Sequence, residues 1–153
     1  MDSSQHYPWV GNWKLESETG FVDWLIVQGA TTAEATAERD IIRRHTTLTI
    51  AIDDDRVELI WRTNVRGRLK RSKTILSYSL DGVSATTTDT PLGSVSATAA
   101  VEQDMLVHRV IGPRGTETHR RHIVGGRLHQ TMTTDDPALS TTTTCELIWR
   151  RTR

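Results

Sequence analysis

Cysteine is almost absent: the 153-residue chain carries one, Cys145, so no internal disulfide can hold it together. No apolar run approaches the roughly 20 residues that a bilayer-spanning helix needs. The opening MDSSQHYPWV lacks both a basic stretch and an apolar stretch, which argues against a secretory signal. A reducing cytoplasm is the expected setting. Charge of one sign is also missing, because 19 Lys and Arg offset 19 Asp and Glu. The chain as a whole therefore has no electrostatic pull toward nucleic acid or acidic membranes. There is no glycine-rich phosphate loop, nucleophile elbow or metal-binding signature, so neither a metal nor a cofactor is expected. Internal repeats, low-complexity tails and linkers are absent as well.

What is present points to one β-rich domain over residues 1–153, expected to be monomeric. At 17.2 kDa such a chain buries about two thirds of the surface its unfolded form exposes. The hydrophobic fraction is a modest 36%, and Thr and Val crowd the second two thirds of the sequence, as strands prefer.

The first elements break that pattern. Asn12 to Glu16 alternates apolar and polar residues with the period of a half-buried strand. Thr19 offers a helix N-cap, and Phe21, Trp24, Leu25 and Gln28 follow at helical spacing until Gly29. Thr31 and Glu34 have the spacing of a capping box and open a second helix, TTAEATAERDIIRR. From His45 onward, strands of six to ten residues are divided by turn residues, including Asp81-Gly82, a strong hairpin signal, and Gly125-Gly126. The expectation is all-β: about ten antiparallel strands in an up-and-down meander, closed into a barrel, with a helix pair after the first strand.

The phrases Trp9-Val10-Gly11-Asn12-Trp13-Lys14-Leu15 and Phe21-Val22-Asp23-Trp24-Leu25 resemble the opening of the intracellular lipid-binding proteins, the fatty-acid-binding and cellular retinoid-binding family of the calycin superfamily. The closing TCELIWRR and the later MLVHRVI and GTETHRRHIVGGRL are similar to that family's last hairpins. The resemblance implies a clam-shaped ten-stranded β-barrel with a two-helix lid between the first and second strands. It also implies an intracellular carrier that holds a fatty-acid-, retinoid- or polyketide-like molecule inside.

The family commonly holds a ligand carboxylate with an arginine on the seventh strand and an Arg-x-Tyr pair on the last. Counted without gaps from MLVHRVI, the first arginine corresponds to Arg121. The closing pair falls on Leu147-Ile148-Trp149, so its arginine is missing. Half of a bidentate clamp is gone, and a neutral ligand becomes as good an expectation as a fatty acid.

Strand alternation gives the other candidates. If the Gly125-Gly126 loop has two residues, Val124 pairs with Arg127, Arg121 with Gln130 and His119 with Met132. The more apolar face, Leu128, Gln130 and Met132, then points inward together with Ile123, Arg121 and His119. The preceding turn, Gly112-Pro113-Arg114-Gly115, suits a type I turn with Gly115 as a bulge residue, which shifts register by one. That leaves either His108 or Arg109 inward, with His108 favoured between Leu106 and Val110. Trp61, Leu147 and Trp149 are further candidates to line the cavity, whereas the resemblance implies that Trp13 plugs the closed end. Cys145 is expected to be a buried small hydrophobe.

The alternative to a carrier is a lipocalin-like barrel enzyme, a cyclase or isomerase that folds a polyene or polyketide. Arg121, His119 and His108 would then supply the electrophilic and acid–base groups. A haem-holding barrel would need an inward axial histidine, His119 or His108. The basic run Arg66, Arg68, Lys70 and Arg71 is either a solvated turn or, by analogy with the family, a portal patch that touches anionic membranes transiently.

Overall fold

In the computed structural model, residues 7–64, 71–90, 93–113, 115–136 and 141–152 are described. The chain runs β1 (Gly11–Thr19), α1 (Phe21–Val27), α2 (Thr32–His45), β2 (Thr46–Asp53), β3 (Arg56–Asn64), β4 (Arg71–Ser79), β5 (Thr86–Thr90), β6 (Gly93–Glu102), β7 (Met105–Gly112), β8 (Gly115–Val124), β9 (Arg127–Asp136) and β10 (Thr141–Thr152). One antiparallel sheet has the order β4-β3-β2-β1-β10-β9-β8-β7-β6-β5. First and last strands pair, so the sheet curls into a nearly closed barrel whose seam lies between β4 and β5. No helix among the described residues is long and apolar enough to cross a membrane.

β1 lets the sheet curl because it serves two neighbours. Gly11 to Lys14 pair with β2, and the strand then follows β10 as far as Thr19. The register against β10 slips between Leu15 and Ser17, leaving Glu16 as the extra residue of a bulge, which bends a strand and increases its twist. The Glu16 carboxylate accepts from Arg127 Nε at 2.6 Å, tying the bulge to the start of β9.

Thr19 ends β1 instead of capping a helix. Gly20, at φ 80°, is the N-cap of α1, and the Glu18 carboxylate accepts from the Phe21 amide at 3.2 Å. A Cβ on Gly20 would sit 2.8 Å from the Thr144 carbonyl oxygen, so close approach as well as the positive φ demands glycine. The capping box of α2 forms as its sequence requires: Thr31 Oγ1 accepts from the Glu34 amide at 3.1 Å, and Glu34 Oε1 accepts from the Thr31 amide at 3.2 Å.

The Asp81-Gly82 pair does not make a hairpin. β4 and β5 are the two edges of the sheet, and Asp81 instead bridges to Ala100 of β6. Asp81 Oδ1 accepts from the amides of Val83 and Ser84, and Gly82 donates its amide to the Ala99 carbonyl at 2.9 Å. The turn chemistry of Asp-Gly thus fastens one end of the seam.

The other deviation is the β7–β8 turn. Gly112 pairs directly with Gly115 and the register runs unbroken to Leu106 opposite Arg121, so no bulge shifts the strands. Gly115 takes φ 126°, a positive angle that glycine adopts without a Cβ clash.

One end of the barrel is plugged by the opening segment. Trp9 and Trp13 are fully buried. Trp13 Nε1 donates to the Trp9 carbonyl at 3.0 Å, Trp9 Nε1 donates to the Asp104 carbonyl at 3.2 Å, and Tyr7 stacks on Trp9 with centroids 4.7 Å apart. The Arg151 guanidinium lies 4.3 Å over the Trp13 ring and donates to the carbonyls of Val10 and Pro8. On α1, Phe21 and Trp24 are buried against the barrel, and Leu25 packs on the same core.

Candidate functional site

A cavity of about 650 Å³ lies within the barrel. Phe21 of α1, Trp61, Leu76, Val95, Val110 and Met132 give most of its wall an apolar character. Four consecutive β4 residues, Ile75 to Tyr78, also border it. Successive strand residues face opposite ways, so the cavity wraps around the free edge of β4 at the seam.

Polar groups converge on one part of this wall. Alternation along β8 turns Glu117, His119 and Arg121 inward, and β9 supplies Gln130, directly opposite Arg121. β7 supplies His108, directly opposite His119. Tyr78 comes from β4, and its ring centroid is 4.6 Å from that of His108. His108 and His119 are 5.4 Å apart by the same measure, and Trp24 of α1 meets His119 edge-on at 6.4 Å.

Two kinds of polar group occur here. The first is a fully engaged chain. An indole N–H can only donate, so Trp149 Nε1, 3.2 Å from Gln130 Oε1, orients that amide. The Gln130 nitrogen then donates to His119 Nδ1 at 3.1 Å. The His119 proton is left on Nε2, 2.6 Å from Glu117 Oε1, to which it donates. Burial lowers the His119 pKa and outweighs the opposing effect of Glu117, which suits a neutral ring.

The second kind has no partner. Arg121 is 4% exposed, yet its Nε and Nη1 have no hydrogen-bond partner among the described residues. Neither ring nitrogen of His108, also 4% exposed, has one. Burial pulls the Arg121 guanidinium down to about 10, with nearby Tyr78 acting in the opposite direction. Burial, then the charge of Arg121, then His119, push His108 down to about 3. Burial raises the Tyr78 hydroxyl, and Arg121 opposes it. The result is a buried cation and a neutral, unpaired imidazole at the edge of an apolar cavity.

Solved structures with this arrangement of strands and helices exist. Fatty-acid-binding protein 1 of Echinococcus granulosus superposes with a TM-score of 0.72 at 16% identity, covering 97% of this chain and 100% of that one. The fold is that of the fatty-acid-binding proteins. A Schistosoma mansoni fatty acid binding protein in complex with arachidonic acid matches the fold with a TM-score of 0.69 at 18% identity over 95% of this chain and 97% of that one. Zebrafish ileal bile acid-binding protein complexed with cholic acid does so with a TM-score of 0.67 at 16% identity over 95% and 99%. No family model matches the sequence, and no curated protein sequence matches it significantly.

On this fatty-acid-binding-protein fold, the residues singled out from sequence separate into groups. Arg121, His119, His108, Gln130, Met132 and Trp61 all border the cavity. The register expected from Gly125-Gly126 is the one observed, with Arg121 opposite Gln130 and His119 opposite Met132. Arg121 lies on β8, one strand later than the seventh-strand position that the resemblance assigned. His108 faces inward despite the missing bulge, while Arg109 turns out and pairs with Glu102 at 2.6 Å.

Leu147 and Trp149 are not at the cavity surface. Both are fully buried, and Trp149 reaches the site only through Gln130 and an edge-on contact with Trp61 at 5.3 Å. Trp61 spends its own N–H on Thr63 Oγ1 at 3.3 Å. Cys145 is fully buried, and burial pushes its thiol up to about 12, so it stays protonated. Arg66, Arg68 and Lys70 lie outside the described residues, as does the side chain of Arg71.

Two of the polar groups that converge on the site were missed in the sequence. Glu117 was accessible to the same alternation that selected His119 and Arg121. Tyr78 was not, because β4 and β7 are far apart in the sheet order and meet only across the cavity.

Proposed function

We propose that the barrel binds an apolar small molecule with one polar end, shields it from water and carries it. The observation that supports this reading most directly is the pairing of an apolar cavity of about 650 Å³ with the Arg121 guanidinium, whose Nε and Nη1 have no hydrogen-bond partner among the described residues. A volume of that order is ordinary for a small-molecule site, and a few placed polar groups in an apolar wall orient a ligand. Two proteins of the same fold are complexed with arachidonic and cholic acids, which adds support for an amphipathic ligand. We place the carrier in the cytoplasm, acting as a monomer, and take the apolar tail to lie along Phe21, Trp61 and Met132.

Native mass spectrometry of the purified protein, before and after organic extraction, tests this. The expected result is a bound apolar molecule, or stoichiometric uptake of a fluorescent fatty acid after extraction. Absence of both overturns the reading.

The hydrogen-bonded Glu117–His119 pair favours a second reading, a cyclase or isomerase acting on a polyene or polyketide. A carboxylate and an imidazole of defined tautomer on the wall of an apolar cavity are groups suited to proton transfer. Turnover of a bound polyene that disappears in Glu117→Gln would replace the carrier by the enzyme.

A further inference from the structure

The outer surface of the β8–β9 hairpin carries a pair of histidines that the cavity does not use. His122 follows Arg121 and His129 precedes Gln130. Those two neighbours border the cavity, so strand alternation turns both imidazoles outward. The register sets His122 directly opposite His129, close to the Gly125-Gly126 turn. Residues paired in this way hold their Cβ atoms about 5 Å apart. The two ring centroids lie 5.9 Å apart with the planes tilted by 44°, and both residues are half-buried.

We propose that His122 and His129 form a two-histidine site for a late first-row divalent metal ion such as copper, nickel or zinc, which clips β8 to β9 on the outside of the barrel. The distance suits a shared ion. Metal–nitrogen bonds of about 2.1 Å at a tetrahedral angle put two imidazole centres roughly 5 Å apart, a difference from the observed 5.9 Å that small side-chain rotations close. The His122 ring is also uncommitted on one side: its Nδ1 is shut off from solvent and has no hydrogen-bond partner among the described residues. Turning that ring toward a shared ion therefore breaks no hydrogen bond at Nδ1.

The arginines of this face are drawn elsewhere. Arg127 donates to Glu16 Oε2 at 2.6 Å, and the charge of Arg120 acts on the Glu102 carboxylate. Glu146 of β10, opposite Thr131, stands on the same outer face as His129 and adds a negative charge there. No third histidine, cysteine or carboxylate joins the pair among the described residues, so water completes the coordination. Imidazole nitrogen suits ions of intermediate softness, with affinity rising through nickel to copper and dropping again for zinc. Magnesium and calcium prefer all-oxygen sites. The two histidines match no metal-binding signature in the sequence, because it is the hairpin register that brings them together.

The test is calorimetric titration of the tag-free full chain, stripped with EDTA and dialysed, with copper, nickel, zinc and magnesium chlorides at about pH 7.5, where free imidazole is mostly neutral. One ion per chain is expected, bound tightest for copper and not at all for magnesium. H122N and H129N should each weaken nickel binding by about 100-fold, the lower end of the gain from linking two binding groups. Nickel should raise the melting temperature of the wild type and leave both variants unmoved. Equal nickel affinity in the wild type and either variant overturns the site, and so does binding that survives in H129N but disappears in H108Q.

Proton NMR of the histidine rings in the wild-type protein reaches the same answer without a substitution. Substoichiometric copper is paramagnetic and should broaden the His122 and His129 signals ahead of those of His45, His108 and His119. Broadening that begins at any other histidine places the ion elsewhere and overturns the proposal.

Discussion

The two ends of this barrel treat their polar groups in opposite ways. At the plugged end, the indole nitrogens of Trp9 and Trp13 each have a carbonyl, and Arg151 has two carbonyls and an aromatic face. Beside the cavity, Arg121 and His108 are each 4% exposed, and Arg121 Nε and Nη1 and both His108 ring nitrogens have no hydrogen-bond partner among the described residues. Satisfied buried groups add to stability, whereas unsatisfied ones subtract from it until a partner arrives. The first end holds the fold, and the second is where the proposed ligand would supply the missing partners.

The largest test of that contrast is Trp13→Ala. Removing a fully buried indole from the plug should cost about 3–5 kcal/mol in urea unfolding. A loss much smaller than this would show that the barrel does not depend on its plug.

Next is the response to acid. His108 has a pKa of about 3 when folded against about 6.5 unfolded, and His119 is shifted the same way. The unfolded chain therefore binds more protons in that window, so the stability from these neutral rings is complete above about pH 6.5 and falls as pH drops toward about 3. The urea midpoint should decline through this range, and H108Q should flatten the decline. An unchanged slope in H108Q would remove His108 from the explanation.

Arg121→Met should move in the opposite direction to the plug variant. Without ligand, the protein should become more stable by about 1–3 kcal/mol, because an unpaired buried cation is replaced by an apolar side chain of similar length. Destabilisation in thermal melts would mean that Arg121 is structural and that the contrast between the ends is false. The smallest effect belongs to neither end: Thr31→Ala removes the capping box of α2 and should cost about 1 kcal/mol, measured as a lower melting temperature.

Much of the site was legible from local pattern. Gly125-Gly126 demands a two-residue turn, and alternation from it carries Arg121, His119, Gln130 and Met132 to the inner face. Glu117 lay on the same line and could have been read from it. His108 was one of two alternatives because a Gly-Pro-Arg-Gly turn admits more than one register. The pairing of Gly112 with Gly115 decides between them, and a Cβ on Gly93 would sit 2.7 Å from Pro113, showing how closely the two segments approach there. Asp81-Gly82 misled because its turn chemistry is real, while the strand that follows has no partner on that side.

The sequence by itself determined the order of elements, the capping-box entry into α2 at Thr31, and the inward face of β8. These depend on neighbours one to four residues apart, where backbone geometry and capping act. Only the tertiary structure decided that Trp149 stands behind the wall, that Tyr78 meets His108 across the cavity, and that Arg121 finds no counter-ion among the described residues. Those outcomes depend on how a curved sheet closes, which brings together strands remote in sequence and sets which buried polar groups find partners.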